Sequence, residues 1–177
     1  ELHCPLLLVR PGSVETAPLS GPHRRILVPL DGSGLAESVI DQALAIFGRD
    51  DTELLLLRVV PVPMVTTPLG EGFVPPQAVV DEQLEQSEEY LQRAASRLRA
   101  LGFRVTVQSC LGAQVARCIG EAAEAWRPDV IAMATRGLGG FQRAVLGSVA
   151  DKVLRSASVP MLIWNPPASG ASSVAMR

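Results

Sequence analysis

Apolar and polar positions along this chain fall into blocks whose period switches repeatedly between that of a strand and that of a helix. Ile26-Leu27-Val28-Pro29 follows Arg24-Arg25 and ends at Asp31-Gly32-Ser33-Gly34, a short apolar run that predicts a strand closed by a turn. Leu35, Val39, Ala43 and Phe47 then recur every four residues and predict a helix, with Ser33 placed to cap it. Asp50-Asp51 leads into a continuous apolar run from Glu53 to Val60, suited to a strand covered on both faces in the middle of a parallel sheet. Residues 61–76 hold five prolines and two glycines and predict a loop.

The longest helix is expected over 77–101, with Val80, Leu84, Ser87, Leu91, Ala94 and Leu98 on one face and Gly102 as its stop. Phe103 to Val107 alternates apolar and polar, as an edge strand or one with a less covered face does. A helix over 113–126 buries Val115, Ile119, Ala122 and Trp126, and Pro128-Asp129 delivers a strand at Val130 to Met133. A helix over about 148–156 and a strand over 159–164 complete the pattern. Strands alternating with helices imply right-handed crossovers and a parallel sheet with helices on both faces, a three-layer α/β/α fold. Ligands of such sheets sit beyond the C-terminal strand ends, where the strand order reverses. The segments after Asp31 and after Ala134 both follow strands and are expected to meet there.

The second segment carries the strongest chemical signal. Ala134-Thr135-Arg136-Gly137-Leu138-Gly139-Gly140 runs through Phe141 to Leu146 and reaches Gly147-Ser148, where a helix opens. Glycines let backbone N–H groups converge and let a ligand come close, and free N–H groups at a helix start favour an anion. A phosphate seat is the functional reading, and an ordinary strand-to-helix turn is the alternative. Asp31 is either a ligand contact or a cap of the helix that follows it. Arg136 and Arg143 are either phosphate contacts or solvated loop side chains, the latter favoured for Arg143.

Composition narrows the chemistry. Hydrophobic residues make up 47% of the 177 positions and charged residues 19%, enough for one domain with a real core. A net charge of −2 gives no chain-wide attraction to nucleic acid or anionic membrane, and no apolar run approaches a membrane span. Lys152 is the sole lysine and follows no G-x-x-x-x-G, which excludes a Walker A site. Gly137-Leu138-Gly139-Gly140 lacks the third glycine of a dinucleotide fingerprint and follows the fourth strand. His3 and His23 both lie ahead of Arg24, in the N-terminal extension, so no Ser-His-Asp triad forms within the domain, and metal-ligand spacing is absent. Any hydrolysis at the phosphate seat would rest on positioning alone and be slow, so no catalytic residue is assigned. Cys4, Cys110 and Cys118 have no C-x-x-C pairing and suggest reduced, buried or half-buried thiols of a cytoplasmic protein.

These residues, in this order, resemble the universal stress protein family over 24–165. The family's signature is a glycine, two residues, a glycine, nine residues, then Gly-Ser or Gly-Thr. Here Ala134-Thr135-Arg136-Gly137, the nine residues from Leu138 to Leu146, and Gly147-Ser148 stand for it. Ile26-Leu27-Val28-Pro29-Leu30-Asp31-Gly32-Ser33 matches the first strand and its aspartate, and Val159-Pro160-Met161-Leu162-Ile163 the last strand. The resemblance implies a five-stranded parallel sheet of order 3-2-1-4-5, of the adenine nucleotide alpha hydrolase-like type, and a regulatory module that binds ATP between the first and fourth strands. By position Asp31 and the Pro29 backbone would hold the adenine and ribose side, with Val59 lining the base pocket. Gly137, Gly147 and Ser148 would present donors to the phosphates, and Ala134, Arg136, Gly140 and Val149 complete the implied site. Mg2+, where present, would be held mainly by phosphate oxygens. One departure is Ala134, which puts a methyl group where the family has its first loop glycine. The alternative function is therefore a homodimeric interaction protein of the same fold whose pocket is closed by Ala134 and the loop.

The first residues carry a separate pattern. Cys4-Pro5-Leu6-Leu7-Leu8-Val9-Arg10-Pro11 copies Val159-Pro160-Met161-Leu162-Ile163-Trp164-Asn165-Pro166: a small residue, proline, four apolar residues, one further side chain and proline. Residues 1–23 are thus expected to be the last strand and linker of a preceding tandem copy, ahead of the domain at 24–165 and a flexible tail at 166–177. The alternative is a coincidental apolar arm. A start at Glu1, with no signal peptide, agrees with a chain processed or cut from something longer. The last strand offers an open edge, so residues 4–9 are expected to pair with 159–164 in their own chain or in a homodimer partner.

Overall fold

The computed structural model describes residues 4–9, 24–48, 50–61, 65–66, 72–73, 77–135 and 147–166. Its strands are β1 (Leu6–Leu8), β2 (Arg24–Pro29), β3 (Thr52–Val60), β4 (Val65–Thr66), β5 (Gly72–Phe73), β6 (Arg104–Leu111), β7 (Val130–Ala134) and β8 (Met161–Trp164). Its helices are α1 (Gly34–Phe47), α2 (Gln77–Ala100), α3 (Val115–Trp126) and α4 (Ser148–Ser156). The main sheet runs β1-β8-β7-β2-β3-β6. Counted from β2, its five parallel strands have the expected order 3-2-1-4-5, and β1 adds a sixth, antiparallel strand at the β8 edge. The segment expected to be loop at 61–76 contains the antiparallel ribbon β4-β5, a correction: two-residue strands are too short to leave a period in the sequence.

Local signals explain the elements. Ser33 caps α1, its Oγ accepting from the Ala36 N–H at 3.1 Å, so the capping alternative for Asp31 is corrected: Asp31 lies two residues ahead of the cap. Gly48 and Gly102 end α1 and α2 with φ of 86° and 93°, backbone that a Cβ would strain. Arg127 ends α3 in the left-handed region, and Pro128 bars its continuation. β3 is buried on both faces. Leu54 and Leu56 pack with Val39, Ala43, Leu91 and Ala95 of α1 and α2, whereas Leu55 and Leu57 pack with Ile119 of α3 and Val153 of α4. Each such leucine contributes about 1.5–3 kcal/mol relative to exposure. β6 closes the sheet as an edge strand, and its alternating exposure follows from that place.

The Leu6↔Ile163, Leu7↔Leu162 and Leu8↔Met161 pairs join β1 to β8 within one chain. In the sequence match Leu6 corresponds to Met161, Leu7 to Leu162 and Leu8 to Ile163. Every cross-strand pair therefore exchanges equivalent positions about the central Leu7–Leu162 pair. Residues 10–23, which include the expected linker, and the expected tail beyond Pro166 lie outside the described residues.

The turn from β6 to α3 has a tight point that can be tested. A Cβ built on Gly112 would stand 2.2 Å from the Cys118 Sγ. Gly112→Ala should cost about 1–3 kcal/mol in urea unfolding, as overpacked sites do. Adding Cys118→Ala should recover most of that loss, and a double variant as unstable as the single one would refute the clash.

Candidate functional site

Parallel strands bring their C-terminal ends to one rim, and the two segments singled out above arrive there on adjacent strands. β2 ends at Pro29, and Leu30 keeps the backbone in register by donating to the Leu57 carbonyl at 2.8 Å. Asp31 then accepts the Ser33 N–H at 2.9 Å, which folds the turn that delivers the Ser33 cap. On the other side β7 ends at Ala134, half-buried, and Thr135 is buried with its N–H donating to the Trp164 carbonyl at 2.8 Å. α4 opens at Gly147, which provides no side-chain cap, so the first amides of that helix have no side-chain acceptor at the cap position.

Between them lies a cavity of about 890 Å³. Pro29, Asp31, Val59, Ala134, Gly147, Ser148 and Val149 all line it, so seven of the ten residues expected at the site share one cleft. Arg136, Gly137 and Gly140, with Arg143, lie outside the described residues. The cleft straddles the sheet. Val115, Ile119 and Ala150 form an apolar wall on the α3/α4 side, while Ser33, Arg58, Gln83 and Gln86 form a polar wall on the α1/α2 side. That second wall went unnoticed in the sequence. Arg58 breaks the apolar run of β3, which is the one signal it leaves, and Gln83 and Gln86 look like any exposed residues of a long helix.

The polar wall is braced from behind. The Arg58 guanidinium lies over the Tyr90 ring, 4.9 Å from its centroid, and the Tyr90 hydroxyl donates to Glu37 Oε1 at 2.9 Å. Arg97 pairs with the other Glu37 oxygen. Partial burial holds the Tyr90 phenol well above its ordinary value near 10; its bond to the Glu37 carboxylate and that group's charge add to the effect, and the Arg58 cation opposes them. Between β6 and α3, burial and a hydrogen bond with Cys118 push the Cys110 thiol up to about 12. Cys110 and Cys118 are half-buried, as expected, but Cys4 is exposed, a correction that follows from its place before the edge strand β1. Among the described residues no three His, Cys, Asp or Glu side chains gather to hold a metal ion, and no helix is long and apolar enough to cross a membrane.

Comparison with known proteins agrees with this architecture. The model of the universal stress protein family matches residues 22–165. A universal stress protein of Methanocaldococcus jannaschii is 31% identical over 147 residues, which span 82% of this chain and 84% of that one. Among solved structures, a universal stress protein family protein from Arabidopsis thaliana with AMP bound has a TM-score of 0.60 at 16% identity, over 82% of this chain and 93% of that chain. A universal stress protein in complex with cAMP has a TM-score of 0.55 at 21% identity, over 82% of this chain and 98% of that chain.

Tyr90 is the only tyrosine, which makes its titration readable. Because the folded phenol holds its proton more tightly than the unfolded one, its contribution to stability is complete below pH 10 and is lost as pH rises toward the folded value. Tyrosinate absorbance should therefore appear at higher pH than for a free phenol, and Glu37→Gln should move it down. An ordinary titration in the intact chain would contradict the Tyr90–Glu37 bond.

Proposed function

The chain belongs to the universal stress protein family, and from that premise we propose that it is a cytoplasmic regulatory module that binds ATP in the crevice between β2 and β7. The observation that carries this reading is the shared cleft: Asp31 at one lip and the uncapped start of α4 at Gly147-Ser148 at the other. The α4 amides and the Ser148 hydroxyl suit phosphate oxygens. The apolar wall of Val59, Val115 and Ile119 suits a base, and Asp31 suits ribose hydroxyls. Relatives of this fold solved with AMP and with cAMP support the class of ligand. Mg2+ would reach the site on the phosphates, since the described residues supply the Asp31 carboxylate and no cluster of acidic ligands beside it. The module acts through occupancy, and any ATP hydrolysis is slow.

Assembly belongs to the other end of the sheet. We place β1 as the last strand of a preceding tandem copy, and homodimerisation at the same β1–β8 edge. The exchange of equivalent positions about Leu7 and Leu162 is what two copies of one strand make when they pair about a two-fold axis. Leu6, Leu7 and Val9 remain 52%, 38% and 43% exposed, an apolar surface suited to a further domain.

Two measurements test these readings. With ATP and Mg2+ at about one hundred times the dissociation constant, the melting temperature should rise by about 5–10 °C. An unchanged melting temperature, together with no nucleotide extracted from purified protein, would exclude ATP binding. Deleting residues 1–12 should uncover the β8 edge and change both the solution mass and the stability of the chain. A truncated chain of unchanged mass and stability would remove β1 from the account of assembly.

A further inference from the structure

Arg58 is the charged group of the cleft that the nucleotide reading leaves without work. It lies between Leu57 and Val59, both packed toward α3 and α4, so its side chain crosses to the α1/α2 side and rests on Tyr90. Its guanidinium also lies against the Asp31-Gly32-Ser33 turn. A Cβ on Gly32 would come within 3.3–3.4 Å of three guanidinium atoms, and the φ of +91° there already favours glycine.

A guanidinium is always charged and carries five donors and no acceptor. Among the described residues no carboxylate forms an ion pair with Arg58. Glu37, the acid behind Tyr90, is engaged by the Tyr90 hydroxyl and Arg97. One oxygen of Asp31 serves the Ser33 amide. Packing on Tyr90 and Gly32 orients the Arg58 plane in advance, which lowers the entropy cost of engaging a ligand. On the nucleotide reading, in which Asp31 meets the ribose, its place beside the Asp31 turn would put it next to the ribose. In Rossmann-type dinucleotide sites an acid reads a free ribose 2′-hydroxyl, and where that hydroxyl carries a phosphate an arginine nearby accommodates it.

We propose that Arg58 is a specificity-determining residue that pairs with a phosphate on the ribose. On this account, which rests on the nucleotide reading above, the cleft prefers an adenine nucleotide carrying a 2′- or 3′-phosphate in addition to its 5′-phosphate. Gln83 and Gln86 on the same wall supply neutral donors around that group.

Calorimetric titration of the full chain with AMP, adenosine 2′,5′-bisphosphate and adenosine 3′,5′-bisphosphate tests this. One bisphosphate should bind about tenfold more tightly than AMP, as expected for one charge-assisted pair, and the arm that does so tells which hydroxyl is read. Arg58→Met should bring that ratio to about one, and Arg58→Lys, which keeps charge without the planar fork, should leave an intermediate ratio. Equal binding of AMP and both bisphosphates by the intact chain would overturn this proposal alone. A preference that survives Arg58→Met, or variants that weaken all three ligands in proportion, would overturn it too, the latter marking Arg58 as a brace for the turn. Failure of AMP, ATP and both bisphosphates to bind would instead overturn the nucleotide reading on which it rests.

Discussion

The double burial of β3 is the constraint on which the rest of this molecule depends. Leu54 to Leu57 alternate between two cores, one beneath α1 and α2 and one beneath α3 and α4. A strand apolar on both faces must lie inside a sheet covered on both sides, and connections long enough to cover both sides return each strand parallel to the last. Parallel strands in turn bring all their C-terminal ends to one rim. The cleft is what remains at that rim where the chain changes direction between β2 and β7, so its existence follows from the packing of leucines well below it.

That dependence explains which parts could be read from the amino-acid sequence. The apolar blocks gave the five parallel strands and four helices to within a few residues, because burial imposes a period on them. That Asp31, Ala134 and Gly147-Ser148 line one cleft was legible because they punctuate those blocks. Arg58, Gln83 and Gln86 were not, since nothing in a linear pattern tells that a cation inside β3 and two glutamines on α2 face one cavity. The β4-β5 ribbon left no period either. Asp31 was ambiguous for a physical reason: a carboxylate two residues before a serine cap can organise the turn or serve as the cap itself, and only the distances separate the two.

The β1–β8 pair shows a different kind of legibility. A repeated pattern of proline and apolar residues ordinarily signals two similar strands, with no statement of how they meet. Here the register adds it, since the strands pair antiparallel and the pairing centres on the matched residues Leu7 and Leu162. An edge strand left open is a template for association, and β1 satisfies the β8 edge without help from another chain. The β1 edge beyond it carries the same exposure one strand further out.

Ala134 ties the cleft to the sheet in a way that bears on its chemistry. It pairs with Trp164 in the last register position of β7 and lines the cavity. Its φ is not among the positive values of the described residues, so a methyl group is tolerated by the backbone there. What alanine changes is only the distance at which a ligand can pass the strand end. A cleft about 890 Å³ in volume lies near the upper end of the range for small-molecule sites, so a ligand displaced by one methyl group still has room. The direction of that displacement follows from the walls, because β7 lies next to β2 and β2 next to β3. A ligand seated away from Ala134 would therefore stand closer to Asp31 and the Arg58 side of the cleft.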